Sequence, residues 1–457
     1  MIRFLKRIHN IKSFSELWDA MTWQGISTFA AVPLFLLFLM PLIALACITA
    51  DPMWTYIMSL DTVRKLMPVF AVAALICVVG KQHSENHPLK TIAADRHTLF
   101  WFLAFSAWLL LSTAVNGFTR EARIGDEYRG EAVWTFISYG LLYFTCGMAV
   151  SSEKVKKWLY RILLSGSSVL AVTALLDRAG VIRVDAFHIT QDPYYLCAIF
   201  SNGNHYAYFL LFGVLLSAGL AIYEEALFPR LLAFGSLLLH TAALVINTCR
   251  GSYLACIAAL IALYIALRII DRKRCKMFWI VLGVFIAGTV IGYFCEPRNL
   301  ARYLNIASDL QNMVSTDELA SARVGSHRGI LWSLTLKCIA EKPLLGWGTE
   351  GIRLTLLNAM EEYGNDRPHN EYLQYAAFYG IPALCMYLGA VGSVYRRAFC
   401  QRAELKPMTV IALTAGIGYL CSAFFGNTMY YTAPYFFVTL GFAFQSAHPQ
   451  KASADHA

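Results

Sequence analysis

Arg250, Arg328 and His369 are the residues whose type and setting best suit chemistry on a charged substrate. Arg250 stands alone in the turn at residues 248–252, between two apolar stretches. Its guanidinium offers a planar fork that matches phosphate oxygens. Arg328 lies in a longer polar connection and offers the same chemistry. Phosphate binding by both is one interpretation. The alternatives are a snorkelling helix anchor for Arg250 and a solvated loop position for Arg328.

His369 could supply a proton acceptor beside these cations. Pro368 before it suits the start of a helix, so we expect His369 in the first helical turn. The positive helix terminus disfavours imidazolium and leaves a neutral ring that can accept a proton. A capping or interfacial role for His369 is the alternative.

Asn204, Arg353 and Asn370 are further candidates for substrate binding. Asn204 enters an apolar run, where its amide could bind a sugar or a diphosphate, or cap the helix. Arg353 could equally be a solvated loop arginine. Arg161 is a cation well inside an apolar run, which makes it a functional candidate, although it could also snorkel.

The composition is that of a polytopic membrane protein. Hydrophobic residues make up 58% of the 457 residues and charged residues only 15%, against about 25% charged in ordinary globular chains. The net charge of +9 could suggest nucleic-acid binding. Its basic residues, however, cluster in short connections between apolar runs, which indicates a topology signal instead. We therefore expect no nucleic-acid partner.

Charge-free runs predict an all-α fold with about twelve transmembrane helices. A bilayer core needs about 20 residues per helix. The predicted spans are 28–50, 66–80, 99–116, 133–150, 158–176, 205–223, 231–248, 252–268, 277–295, 373–395, 408–425 and 431–446.

The positive-inside rule then orders the chain. Residues 1–27 are expected to be a cytoplasmic segment, 28–295 the first nine spans, 296–372 an external loop, 373–446 the last three spans, and 447–457 a cytoplasmic tail. Two crossings separate the turn at Arg250 from the long loop, so both lie on the same side of the membrane.

The long loop between the ninth and tenth spans is predicted to be helical. Ser326 is a candidate N-cap for an amphipathic helix that ends before Pro343. A second amphipathic stretch covers about 350–362, with Ile352, Leu356 and Met360 on one face. Such helices would lie along the membrane and cover a cavity.

Three motifs, taken in order, resemble the O-antigen ligase and polymerase family. The first is Cys249-Arg250-Gly251-Ser252-Tyr253-Leu254-Ala255, after an apolar helix. The second is Arg328 with Trp332, followed by Pro343-Leu344-Leu345-Gly346-Trp347-Gly348. The third is His369-Asn370-Glu371-Tyr372-Leu373-Gln374, followed by Gly380-Ile381-Pro382. The strong resemblance covers about residues 249–385.

The resemblance implies a bacterial inner-membrane glycosyltransferase of the GT-C class. Such an enzyme moves a glycan from undecaprenyl diphosphate to an acceptor hydroxyl, on lipid A-core for a ligase or on a growing polysaccharide for a polymerase. On the matching positions, Arg250 and Arg328 would bind the diphosphate and His369 would act at the acceptor. The implied reaction inverts the anomeric centre, needs no cofactor or metal, and takes place on the external face.

Two other readings remain open from the sequence. A secondary transporter or a flippase for lipid-linked oligosaccharides also fits twelve spans. Arg161 alone, as an ionisable residue inside a span, is weak support for this class. A metal-dependent transferase would need Asp51 as a ligand, assisted by Glu350, Glu361 or Glu371. The sequence contains no cluster of carboxylates in favour of that reading.

Overall fold

The structure is a computed structural model. It describes residues 95–125, 130–150, 152–188, 196–200, 202–296, 318–359, 367–427 and 432–446, with a few isolated positions before residue 95. Within these ranges all regular secondary structure is helical, as the sequence predicts. The predicted spans 28–50 and 66–80 and the two terminal segments lie almost wholly outside the described residues.

The α-helices from Arg96 onward are numbered α1 to α14. They are Arg96–Val115, Arg120–Ile124, Val133–Ala149, Glu153–Arg178, Gly203–Tyr223, Leu227–Asn247, Arg250–Ile270, Cys275–Cys295, Glu318–Glu341, Gly348–Ala359, Glu371–Tyr379, Ile381–Cys400, Pro407–Ala423 and Ala433–Ser446. Short 3-10 turns cover Asp185–His188, Arg272–Arg274 and Arg402–Glu404.

Six helices in the described ranges are long and apolar enough to cross a membrane: α1, α4, α5, α6, α7, and α8 with the turn before it. Helices α13 and α14 are shorter apolar helices. The count of about twelve spans is therefore not confirmed. The chain is a multi-pass membrane protein by the composition of these helices.

Helix α5 is the centre of the bundle, because every residue from Tyr206 to Tyr223 in it is buried. Helices α4, α6, α7 and α13 pack around it. Helices α6 and α8 approach each other closely at Gly288 and Gly292. A Cβ added at either glycine would lie 2.8 Å from a backbone carbonyl oxygen of α6, that of Leu238 or Ala242 respectively. Small residues at such contacts are typical of helices that pack within a bilayer.

Helices α4 to α8 alternate in direction, which defines two ends of the bundle. The end that carries the turn before Arg250 is called the Arg250 face. Arg178 and Glu296 meet there, with Nη2 and Oε2 2.9 Å apart. At the opposite face, Lys156 donates to the Phe442 carbonyl at 2.8 Å and Arg397 pairs with Asp95.

The predicted span 373–395 is divided at Gly380. Gly380 has φ +88° and both ends α11 and begins α12. Helix α11 then folds back on α12, because residues on either side of Gly380 meet: the Tyr375 and Tyr387 rings lie 4.5 Å apart. A left-handed glycine inside an apolar run breaks the helix without any change in hydropathy. The two helices form a short hairpin in place of one long span.

Candidate functional site

Arg250 is the first residue of α7 and follows a tight turn. Thr248, with φ +70°, ends α6 in the left-handed conformation, and Cys249 precedes α7 without a side-chain cap. Gly251 leaves room for Phe425, whose Cβ would lie 2.7 Å from an added Cβ. Arg250 is half-buried in this arrangement. Arg250 is therefore at a helix N-terminus, where the free backbone N–H groups and the helix dipole favour binding of an anion.

Asn204 lies against the same turn. The Cys249 thiol donates to Asn204 Oδ1 at 3.2 Å. Asn247 ties the end of α6 to the start of α5 by donating to the Gly203 carbonyl at 2.9 Å. The cap of α5 is Asn202, whose side chain accepts from the Asn204 backbone N–H. The side chain of Asn204 is therefore not the helix cap, which leaves the substrate-binding interpretation open.

His369 lies just before α11, so its predicted place in the first helical turn is wrong. Asn370 is the N-cap and accepts from the backbone N–H groups of Tyr372 and Leu373, at 3.0 and 3.1 Å. Because the Asn370 side chain caps the helix, the helix begins after Asn370 and not at Pro368. His369 has φ +49°, a conformation that costs a residue with a side chain about 1–2 kcal/mol. Such strained positions cluster at functional sites.

A buried ion pair holds the segment that carries His369. Arg367 Nε lies 2.5 Å from Glu131 Oε2, and both side chains are almost fully buried. Gln374 donates to Glu131 Oε1 at 2.6 Å. The Arg367 guanidinium also lies over the Phe378 ring, 5.5 Å from its centroid. The residues before and after His369 are thereby fixed to the start of α3.

Glu371 is a second buried carboxylate near His369. Its two oxygens accept hydrogen bonds from Tyr387 and Tyr419, at 3.0 and 2.9 Å. These bonds join α11 to both α12 and α13. Burial of a carboxylate among apolar helices is tolerated when its oxygens are hydrogen-bonded. Glu371 therefore fixes the N-terminal end of α11.

Arg328 belongs to α9, which begins at Glu318. The prediction that Ser326 caps this helix is therefore wrong, because the residues before it continue the helix. The predicted end before Pro343 is confirmed, since α9 ends at Glu341. One turn after Arg328, Trp332 donates its indole N–H to the Pro368 carbonyl at 2.9 Å. The Arg328 helix is thus tied to the His369 segment.

Two of the three motifs meet at the C-terminal end of α13. Ser252, two residues after Arg250, has its Oγ 3.0 Å from Ser422 Oγ. Tyr372, three residues after His369, donates its hydroxyl to the Leu420 carbonyl at 2.6 Å. Tyr208 donates to the Ser422 carbonyl at 3.0 Å, which holds its hydroxyl in place. The segments that carry Arg250 and His369 thus lie next to each other, and the Trp332–Pro368 bond joins the Arg328 helix to the His369 segment.

The other sequence candidates lie differently. Arg353 is exposed on α10. The Asn370 carbonyl oxygen is taken up by capping. Arg161 lies at the opposite face, paired with Glu224 at 2.7 Å and stacked on Trp158. Its predicted functional role inside a span is unsupported, because it behaves as an ion-paired helix anchor.

The metal-ligand candidates do not come together where they are described. No group of three or more His, Cys, Asp or Glu side chains in the described ranges could hold a metal ion. Asp51 and Glu361 lie outside those ranges. Glu350 lies in the first turn of α10, and Glu371 is bonded to two tyrosines.

Several residues that build the site were not among the predicted ones. Glu131 and Arg367 are charges at the ends of apolar stretches, and their pairing could not be read from spacing because 236 positions separate them. Tyr208 lies in a uniformly apolar helix that shows no periodic signal. Trp332 was noted only as part of a motif, yet it makes the bond that joins two of the three motifs.

Residues 235–388 match the family model Wzy_C, described as O-antigen ligase. The match covers about a third of the chain and includes Arg250, Arg328 and His369. No curated protein matches the chain. This match confirms the predicted resemblance to the O-antigen ligase family and supports a membrane glycosyltransferase function.

Proposed function

We propose that this protein moves a glycan from undecaprenyl diphosphate to an acceptor hydroxyl during assembly of a surface polysaccharide. The observation that carries the proposal is that the Arg250 and His369 segments meet at the C-terminal end of α13, while Trp332 bonds the Arg328 helix to the His369 segment. A cationic, partly enclosed region beside a candidate base suits transfer from a doubly charged leaving group.

Arg250 and Arg328 would bind the diphosphate. Each guanidinium can make charge-assisted hydrogen bonds to phosphate oxygens. The uncapped N-terminus of α7 adds backbone N–H groups that point toward an anion at Arg250. Together these groups can stabilise the negative charge that develops as the sugar–phosphate bond breaks, so the proposed reaction needs no metal or other cofactor.

His369 would accept the proton of the acceptor hydroxyl. A neutral imidazole is a suitable base near pH 7, and a positioned general base contributes about 10²–10⁴-fold to the rate. The hydroxyl oxygen attacks the anomeric carbon as the bond to the diphosphate breaks on the opposite face of the sugar. This displacement inverts the anomeric configuration. Asn204, beside the Arg250 turn, is a further candidate contact with the diphosphate or first sugar.

The proposed partners are the bilayer, the polyprenyl-linked donor, and an acceptor on lipid A-core or on a growing polysaccharide. The proposed location is the bacterial inner membrane, with both termini cytoplasmic and the Arg250 face external. Basic connections support this orientation, since Arg272, Lys273 and Arg274 lie at the opposite end of α7 from Arg250.

Complementation of a gene deletion tests the proposal. Arg250→Ala, Arg328→Ala and His369→Ala should each remove long-chain surface polysaccharide on gels while the protein still reaches the membrane. Lys337→Ala is the matched control, because Lys337 is an exposed cation on the same helix as Arg328. Normal polysaccharide in all three site variants would refute the proposal.

The same deletion strain separates a ligase from a polymerase. Loss of all long chains from the lipid anchor, with no single repeat unit left on lipid A-core, indicates ligase activity. Retention of single repeat units on the anchor indicates polymerase activity.

A further inference from the structure

A second cavity opens at the Arg250 face, at the far end of α11 from His369. It lies between the end of α1, the short helix α2 and the start of α10, and it is partly open to solvent. Its lining is mainly polar and small, with two aromatic residues. The side chains used below are Thr113, Asn116, Trp347, Glu350 and Tyr379.

The frame of this cavity is held by hydrogen bonds between its walls. Asn116 Nδ2 donates to the Leu345 carbonyl at 3.1 Å. Trp108 Nε1 donates to the Tyr379 carbonyl at 3.0 Å. The Trp347 backbone N–H donates to the Ala377 carbonyl at 2.9 Å. A preformed concave site of this kind is typical of small-molecule binding.

Two buried hydroxyls line the cavity without a hydrogen-bond partner among the described residues. They belong to Thr113 and Tyr379, whose side chains are 2% and 1% exposed. Buried polar side chains without partners are uncommon in folded proteins. Two of them in one polar cavity indicate that a ligand supplies the missing hydrogen bonds.

The remaining polar groups define the class of ligand. The Glu350 carboxylate accepts hydrogen bonds and repels anions. The Asn116 amide N–H₂ is bonded to backbone carbonyls, so its remaining polar atom is the acceptor Oδ1. A lining rich in acceptors and hydroxyls suits a neutral molecule with several O–H donors, and it is unsuited to phosphate. This contrasts with the cationic region at Arg250 and Arg328.

We propose that this cavity binds one uncharged sugar residue of the glycan that the enzyme transfers or extends. The proposal rests on the proposed glycosyl transfer. Tyr379 and Glu371 are the two ends of α11, about 12 Å apart at 1.5 Å per residue. The bound sugar is therefore remote from the bond that forms at His369. Contacts to such remote parts of a substrate can be used to position its reacting end.

Saturation-transfer NMR on the full-length protein in lipid nanodiscs tests the proposal. The probe is the neutral oligosaccharide repeat released from the host's own surface polysaccharide by mild acid. The wild-type protein and the His369→Ala variant should both transfer saturation to the sugar protons. The double variant Thr113→Val/Tyr379→Phe should lose the signal. In transfer assays, the same double variant should raise KM for the glycan about tenfold, as expected for two lost hydrogen bonds.

A matched double variant controls for the chemical changes. Thr173→Val/Tyr264→Phe makes the same substitutions on α4 and α7, away from the cavity, and should bind the probe like the wild type. The Thr113→Val/Tyr379→Phe protein should unfold at the same or a higher temperature than the wild type, because neither hydroxyl bonds another described residue.

The outcomes separate this inference from the proposed function. No NMR signal with the wild type, or an equal signal with Thr113→Val/Tyr379→Phe, overturns the sugar site even if transfer activity is normal. Absence of transfer by a wild-type protein that still binds the probe overturns the proposed enzyme while the sugar site stands.

Discussion

Trp332 donates its indole N–H to the Pro368 carbonyl oxygen, 2.9 Å away, and so joins the helix of Arg328 to the segment of His369. Trp332 and Pro368 are 36 positions apart in the sequence, and helix α10 lies between them. The sequence alone therefore does not determine how far apart they lie in the structure. The bond therefore holds the helix of Arg328, the proposed diphosphate-binding residue, beside the segment of His369, the proposed base.

Trp332→Phe should therefore lower transfer activity while the protein stays folded. Phenylalanine keeps most of the ring packing but loses the donor, which removes about 0.5–1.5 kcal/mol and leaves the Pro368 carbonyl without this bond. We expect kcat to fall about three- to tenfold with little change in membrane level. Trp279→Phe, on the exposed side of α8, is the control. Equal kcat in Trp332→Phe and wild type would show that this bond does not position the site.

Glu131→Gln should destabilise the folded protein. The substitution removes the counter-ion of a buried Arg367, which typically costs about 3–5 kcal/mol. Thermal unfolding in detergent should show a clear decrease in midpoint, and residual folded protein should be nearly inactive because the His369 segment is released. Glu225→Gln, an exposed carboxylate, should leave the midpoint unchanged. A normal midpoint for Glu131→Gln would contradict the anchoring role.

Gly380→Ala should prevent correct packing of the α11–α12 hairpin. An added Cβ would collide with the Leu344 carbonyl oxygen, and φ +88° is unfavourable for alanine. We expect a strong reduction in folded protein, measured by size-exclusion chromatography. Gly392→Ala on α12 meets nothing within 4 Å and should behave like the wild type. Equal yields of the two variants would argue against the break at Gly380.

Arg161→Gln should leave polysaccharide assembly per folded molecule unchanged. Arg161 pairs with the buried Glu224 at the opposite face, and Lys157, 3.4 Å from Glu224, remains as a second cation beside that carboxylate, so we expect the variant to fold. The measurement is surface polysaccharide on gels, normalised to membrane protein. Abolished polysaccharide with normal protein level would instead support a coupling charge, as in a transporter.

Much of the helical framework could be predicted because charges bound the apolar runs. The central helix was predicted at 205–223 and runs from Gly203 to Tyr223, and the run ending at Cys295 was located equally well. Helix α10 was predicted from Ile352 and Leu356, and both are fully buried. In these segments, the residues that hydropathy and helical periodicity assign to the apolar face are the residues that packing buries.

The details that failed depend on local backbone competition. Asn370 takes the cap that Pro368 suggested for an earlier helix start, and Gly380 breaks an apolar run that hydropathy joins. Hydropathy predicts neither the cap at Asn370 nor the break at Gly380. The Glu131–Arg367 pair and the Trp332–Pro368 bond are long-range contacts, so a single sequence contains no spacing that would reveal them.

Binding of undecaprenyl diphosphate to the purified full-length protein tests the central claim most directly. Charge-assisted hydrogen bonds contribute about 1.5–3 kcal/mol each, so Arg250→Ala and Arg328→Ala should each weaken binding at least tenfold. His369→Ala should bind as tightly as the wild type yet transfer glycan about 10²–10⁴-fold more slowly. Wild-type affinity in both arginine variants would contradict the account, because the two guanidiniums would then not hold the diphosphate.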